Sequence, residues 1–353
     1  MRVLVTGNLG YIGTVLVPIL SDLDYDVWGY DTGYYKECLF GDPPSGGVSR
    51  QIVKDIRKVD ASDVEGVDAI VHLAALSNDP TGELNPGLTG DINTGGALRL
   101  ARIARDADVG RFIFASSCSI YGQSDAKALT EESSFNPQTA YAHSKVDTEA
   151  RLSKLASNKF SPVFLRNSTA YGFSHRPRFD VAVNNLTGWG FTTGQVKLMS
   201  DGRACRPMVH VEDICQAITE ALKAPRAVIH NQAFNVGSED ENYQIRDIAE
   251  MVVEIVPNCE VTFAEGASAD NRTYNVRFEK IRQAFPDFTP RWSVRKGIEQ
   301  LYEAFAHASL NYDNFDGRLY TRLKQLKHLI DNNLLGSDLF WTSEETPLSG
   351  SES

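Results

Sequence analysis

The sequence predicts an α/β fold: a doubly wound parallel sheet covered by helices on both faces, with a smaller C-terminal domain interleaved with it. Three observations predict it: short, nearly continuous apolar runs, segments of helical period between them, and a glycine-rich loop directly after the first run. A strand buried on both faces needs apolar side chains on both, so it loses the alternation of a half-exposed strand. Candidate strands lie at 3–6, 26–30, 51–54, 69–73, 112–116 and 163–166, with helical patterns at 98–107 and 144–155. After about Thr169 aromatics, Asn, Gly and Arg become frequent and the regular alternation stops. A second region is expected from there, with further strands at 233–236 and 260–263 and a terminal helix at 319–330. The Ser/Gly/Glu-rich stretch 346–353 reads as a disordered tail.

The expected division is 1–168 for the nucleotide-binding unit, with 205–235 returning to it, 169–204 and 236–310 for the second region, and 311–345 for a helical extension. A chain of 353 residues, 42% hydrophobic, can bury a core of this size. A net charge of −11 argues against a nucleic-acid partner. The five cysteines (Cys38, Cys118, Cys205, Cys215 and Cys259) are odd in number and have no zinc-ligand spacing, so reduced thiols in a cytoplasmic protein and no metal are expected. No basic leader precedes the first strand, and no apolar run approaches a membrane span, so neither a signal peptide nor a membrane partner is expected.

The first strand runs into Gly7-Asn8-Leu9-Gly10-Tyr11-Ile12-Gly13. One glycine permits the tight turn, one lets a pyrophosphate approach the backbone, and one allows close helix–strand packing. The free amides of the next helix then face the phosphates. Asp31 ends the second strand, eighteen residues beyond Gly13. A carboxylate there accepts ribose hydroxyls and repels a 2′-phosphate, which favours NAD over NADP in a Rossmann-type site. Pro18 falls inside the helix after the loop and is expected to kink or shorten it.

Tyr141 and Lys145 are four apart and share one helix face. An ammonium beside a phenol favours the phenolate, which can then take a proton as hydride leaves a carbinol. Ser116, Ser117 and Ser119 follow the fifth strand, at the sheet edge where ligands bind, and offer hydroxyls to a substrate oxygen or to strand-end capping.

Together these motifs resemble the extended short-chain dehydrogenase/reductase superfamily and, within it, the NAD-dependent nucleotide-sugar epimerase/dehydratase group. Asp55-Ile56, His72-Leu73-Ala74-Ala75, Asp91-Ile92-Asn93 and Ile120-Tyr121-Gly122 belong to the resemblance, which covers about residues 1–305. It implies that Tyr141 is the acid/base, that Lys145 lowers its pKa and binds the nicotinamide ribose, and that Ser117 orients the substrate. It places the cofactor against Gly7, Gly10, Tyr11, Ile12, Gly13, Asp31, Asp55, Ile56, Leu73, Ala74, Ala75 and Asn93. It further implies a nucleotide-diphosphate sugar held by Asn185, Arg206 and Arg272, a substrate-binding role for the second region, and a homodimer.

The chain departs from the family at several points. Dehydratases carry an Asp-Glu pair where this chain has Cys118 and Ser119, so standard dehydration is not expected. Cys118 falls at the substrate side of the strand end, either touching substrate or packed as a small buried residue. The charged run His175-Arg176-Pro177-Arg178-Phe179-Asp180 reads either as a site for an acidic or phosphorylated sugar or as a solvated loop, with His175 a further proton carrier. The extension beyond about Leu310 either closes over the pocket or builds a subunit interface. Epimerisation by transient oxidation is the leading expectation. Reduction of a keto sugar is the alternative, and a non-catalytic NAD sensor is disfavoured by the joint presence of Tyr141, Lys145 and Ser117.

Overall fold

The structure, a computed structural model, describes residues 1–42, 47–77, 79–123, 128–268 and 273–343. Arg272 and the stretch 346–353 lie outside the described residues.

Seven strands form the central sheet: β1 (Arg2–Thr6), β2 (Asp26–Asp31), β3 (Arg50–Val53), β4 (Ala69–His72), β5 (Arg111–Ser117), β6 (Ser161–Asn167) and β7 (Gln232–Val236). Their order is β7-β6-β5-β4-β1-β2-β3 and every pairing is parallel. The chain winds outward from β1 in both directions, so a crevice opens where β1 and β4 part company at their carboxyl ends.

The long helices, in chain order, are α1 (Gly13–Asp22), α2 (Ala97–Asp106), α3 (Ala140–Ser153), α4 (Ala182–Thr193), α5 (Val211–Lys223), α6 (Ile245–Ile255), α7 (Val294–His307) and α8 (Arg322–Asp331). Strand side chains alternate between faces, which sorts the core into two layers. Val3, Val5, Val71 and Val163 face α1 and α5, meeting Leu16, Leu20, Ile214 and Ile218. Leu4, Ile70, Phe112 and Phe114 face the other way, toward Leu98, Ala101 and Leu152 of α2 and α3. Truncating Leu4, Leu16, Leu20, Ile70 or Phe112 to Ala would cost about 2–5 kcal/mol.

Pro18 does not end α1. The helix continues four residues beyond it, to Asp22. Burial of Leu16, Val17 and Leu20 against the sheet offsets the one backbone bond that the ring removes.

Residues 211–236 return to the central sheet as α5 and β7. A third cluster joins Val183 and Leu186 of α4, Ile248 and Val252 of α6, and Ile298, Leu301 and Phe305 of α7. Two small sheets accompany it. One pairs Gln195–Ser200 with Glu260–Ser268, and the other joins Thr169–Tyr171, Cys205–His210 and Asn242–Gln244. The terminal helix begins at Arg322 rather than Leu319, because Thr321 is still extended. Among the described residues, no helix is long and apolar enough to cross a membrane.

Beyond Leu310 the chain packs back on the nucleotide-binding unit. Leu326, Leu329, Leu335 and Leu339 enter the same core layer as Leu4 and Tyr30. Trp341 donates its indole N–H to the Thr32 carbonyl at 2.8 Å, and Arg57 lies 3.7 Å over the Phe340 ring.

Candidate active site

A cavity of about 910 Å³ opens at the carboxyl ends of the central strands. Its wall holds each expected cofactor residue except Asn93, and each described expected substrate residue except Cys118.

The glycine loop supports the geometric argument for its three positions. Gly7 has φ +72°, and a Cβ there would meet the Ala74 nitrogen at 2.8 Å. A Cβ on Gly13 would meet the Gly7 carbonyl oxygen at 2.4 Å, so both positions exclude a side chain. At Gly10 the nearest atom to such a Cβ is the Gly7 oxygen at 3.1 Å, which leaves its cavity side open. Asp31 accepts the backbone N–H groups of Leu9 at 3.2 Å and Gly33 at 2.8 Å. These amides hold its carboxylate at the end of β2, although burial pushes its pKa up. Asp55 is clamped by Arg57, with Nη2 2.7 Å from Oδ2, and shares the wall with Ile56. A loop that only glycine fits, next to a fixed acceptor, suits the pyrophosphate and adenosine ribose of NAD.

Thr139 caps α3 by accepting the Ala142 N–H at 3.2 Å, and donates its hydroxyl to Asp79 Oδ1 at 2.8 Å. Glu83 takes the Ala140 N–H at 2.8 Å. The helical turn Asp79–Gly82 therefore fixes the start of the helix that presents Tyr141. Tyr141 is half-buried in the cavity wall, and desolvation there pushes its pKa up to about 12. The Arg178 charge and a hydrogen bond to Ser117 pull against that rise.

Lys145 shares the cavity wall with Tyr141. Its Nζ donates to the Ala115 carbonyl at 2.7 Å and lies 5.5 Å from the Tyr141 ring centroid. Burial pulls its own pKa down to about 7, and the cation that most favours the Tyr141 phenolate is Arg178. Arg178 and Asp180 form a bidentate pair at 3.0 and 2.8 Å in the cavity wall. The charged run is thus not a solvated loop: Arg176 is buried, and Arg178 is paired with Asp180 in the cavity wall.

Two expected contacts are displaced. Cys118 is 1% exposed, and its thiol points away from the cavity to the Arg166 carbonyl, 3.1 Å away. Packing at the turn after β5 leaves it no path to a ligand, and burial raises its pKa to about 12. Asn93 lies one layer behind the wall. Its amide accepts the Leu76 N–H at 2.8 Å and donates to Leu76 O and to Ser144 Oγ, both at 3.1 Å. It ties the Leu76 segment to α3. His175 is also absent from the wall and packs edge-on against Phe173.

Beneath the serines, Ser116 donates to Glu149 Oε1 at 2.5 Å, and Arg166 Nη2 meets Glu149 Oε2 at 2.8 Å. Tyr121 accepts from Arg166 and donates to Asn235 at 2.7 Å. Sequence reasoning gave no role to Glu149 or Arg166, which no short motif marks. At the far end, Asn185 and Arg206 line the cavity. Asn185 is held by the Phe179 carbonyl at 2.7 Å, and the Arg206 guanidinium lies 5.4 Å over the Tyr274 ring.

Comparison with known proteins gives a consistent family. The sequence profile of the NAD-dependent epimerase/dehydratase family matches residues 3–237. A UDP-glucose 4-epimerase of Corynebacterium glutamicum is 26% identical over 327 residues, covering 87% of this chain and 96% of that protein. A putative UDP-glucose 4-epimerase of Methanocaldococcus jannaschii is 29% identical over 248 residues, covering 68% of this chain and 77% of that protein. In fold, the chain is similar to UDP-glucuronic acid 4-epimerase from Bacillus cereus, solved with UDP-glucuronic acid and NAD. The TM-score is 0.74 at 23% identity, over 87% of this chain and 99% of the other. It is equally similar to a dTDP-glucose 4,6-dehydratase from Streptomyces venezuelae, with TM-score 0.74 at 24% identity over 87% and 97% of the two chains. The chain belongs to the NAD-dependent epimerase/dehydratase family.

Proposed function

We propose that this member of the NAD-dependent epimerase/dehydratase family inverts a carbinol centre of a nucleotide-linked sugar by transient oxidation to the keto sugar. The observation that carries the reading is the position of Tyr141. Its phenol shares one cavity with the glycine loop, with Ser117 and with Asn185 and Arg206.

A bound NAD would supply the hydride acceptor for the carbinol carbon and the hydride donor to the opposite face of the keto sugar. Tyr141 as phenolate takes the hydroxyl proton of that carbinol and gives it back to the same oxygen. Ser117 holds the oxygen within reach of the phenol. Arg178 favours the phenolate against the cost of burial. Lys145 is assigned to the nicotinamide ribose. Asn185, Arg206 and Arg272 are assigned to the substrate diphosphate, since a guanidinium fork matches phosphate oxygens. In this reading 1–168 and 205–235 serve the cofactor, and 169–204 and 236–310 serve the substrate.

The names of the relatives make UDP-glucose the first substrate to try. Elimination of water has little support. Cys118 is packed away from the cavity, and the Ser119 hydroxyl there is no carbon base. The test is turnover of a panel of nucleotide sugars with NAD in catalytic amount, followed by chromatography and mass. A new isomer of unchanged mass supports the reading. Turnover only with stoichiometric NADH marks a reductase, and loss of water marks a dehydratase; either result sinks it. Tyr141→Phe should lower turnover by about 10³-fold while NAD still binds. A sensor would keep its function in that variant. The proposal extends to a cytoplasmic homodimer with the Tyr141 helix α3 in its interface, and light scattering showing a monomer at micromolar concentration would remove that part.

A further inference from the structure

Arginines from two distant segments of the chain, Arg176 and Arg322, act on Asp31, and Arg178 lies close to Arg322. Arg176 and Arg178 come from the loop after Tyr171, and Arg322 opens α8. Arg178 is neutralised by Asp180. The other two are not matched in this way. Arg176 is 6% exposed and donates Nη1 to the Lys36 carbonyl at 2.6 Å, while its Nε has no hydrogen-bond partner. Arg322 is also 6% exposed. It donates Nη2 to the Arg176 carbonyl at 3.2 Å and stacks 4.0 Å over the Tyr35 ring, while its Nη1 has no partner. Buried guanidinium N–H groups without acceptors are costly, and two like charges set near each other add to that cost.

Their place in the fold says what would repay it. Arg322 lines the same cavity as Asp31, Thr32, Tyr34 and Tyr35, and its charge acts on the Asp31 carboxylate. The Arg176 amide is bonded to Ser174 at 3.2 Å, and Ser174 in turn is bonded to the Tyr11 carbonyl at 2.8 Å in the glycine loop. The loop that carries Arg176 is thus tied to the phosphate-binding turn after β1, and Arg322 shares the cavity with the carboxylate at the end of β2.

We propose that Arg322 donates to the diphosphate of the bound dinucleotide, with Arg176 behind it adding positive field, so that the C-terminal segment is part of the cofactor site. The inference rests on the NAD dependence of the family and not on the epimerase reading. An adenosine 2′-phosphate is the other anion that could reach this end, and the fixed carboxylate of Asp31 repels it.

The test is calorimetric titration of the full chain and of Arg322→Met and Arg322→Lys with NAD, NADP, ADP and adenosine. Arg322→Met should bind NAD and ADP about 10- to 100-fold more weakly while adenosine changes by less than about threefold. Arg322→Lys should fall between. Equal losses for ADP and adenosine would reduce Arg322 to a packing residue and overturn the proposal, as would unchanged NAD affinity. A loss confined to NADP would move the contact to the 2′ position and overturn it too. Thermal unfolding of each variant without ligand separates a fold defect from a binding defect, and Arg322→Lys keeps the stem that packs on Tyr35. If the natural chain itself fails to bind NAD, cofactor dependence has failed rather than this assignment.

Discussion

The wall that carries Gly7, Asp31, Ser117 and Tyr141 and the wall that carries Arg178, Asn185, Arg206 and Arg322 face one cavity but are held by different forces. The first is mainly backbone: strand ends, a turn that excludes side chains, and amides fixed on Asp31. Its polar residues sit at or next to a strand or helix terminus. The second depends on side-chain contacts that need the folded chain, with Arg322 laid on the distant Tyr35 and Arg178, set against its near neighbour Asp180, brought into the same cavity wall. A wall of the first kind is written in contiguous residues. A wall of the second kind exists only after the chain has folded. Errors in the first should therefore damage cofactor binding and chemistry, and errors in the second should damage the grip on charged ligand groups.

The largest effect is expected at Lys145. Lys145→Met should lower turnover by about 10³-fold. It should also alter the pH dependence of stability in the ligand-free protein. Folding lowers the Lys145 pKa from its ordinary 10.5 to about 7, so between those values the unfolded chain holds a proton that the folded chain has released. Stability contributed by this group therefore rises with pH from 7 to 10.5 and is lowest below 7. Lys145→Met should remove that slope, and urea unfolding from pH 6 to 10 reads it. A slope unchanged by the substitution would show that the ammonium is not confined as described.

Next comes Gly13→Val. The added Cβ would fall 2.4 Å from the Gly7 oxygen and force the loop open. NAD affinity should drop by about 100-fold or more, with a smaller effect on the binding of a nucleoside diphosphate at the sugar end. Arg206→Ala should show the reverse. Removing a charged hydrogen bond at about 1.5–3 kcal/mol weakens the nucleotide sugar by about 10- to 100-fold, and NAD titration should be unchanged within error. Comparable losses for both ligands would erase the distinction between the walls. The smallest effect is expected at Cys118. Cys118→Ala should cost about 1 kcal/mol of stability and leave kcat/KM within about twofold, because the thiol lies in the core. A large change in KM would return Cys118 to the substrate.

The same contrast governs what the sequence reveals. β1, β4 and β5 are legible because β-branched and aromatic runs have one reading when buried on both faces. The glycine loop is legible because each glycine answers a steric demand made within a few residues. Helix α4 is not, since Ala182–Thr193 holds two glycines and four β-branched residues, poor helix formers all. It forms because tertiary contacts need those glycines. A Cβ on Gly188 would fall 2.2 Å from the Phe315 ring, and one on Gly190 would fall 2.9 Å from Cys259 Sγ. The strands Gln195–Ser200 and Cys205–His210 are short and pair with distant partners, so no local pattern frames them. Asn93 and Cys118 sit near the cavity in sequence terms, and only the direction of each side chain puts them behind it.

The docking of the last described segment also bears on how the molecule comes into being. Trp341 reaches back to Thr32, and Leu326 and Leu339 join the layer of Leu4 and Tyr30. A growing polypeptide can close its central sheet once β7 is made, yet one flank of the nucleotide pocket is then still bare apolar surface. On the ribosome, cofactor loading would come as the final act of maturation, after the sheet that the cofactor rests on is complete.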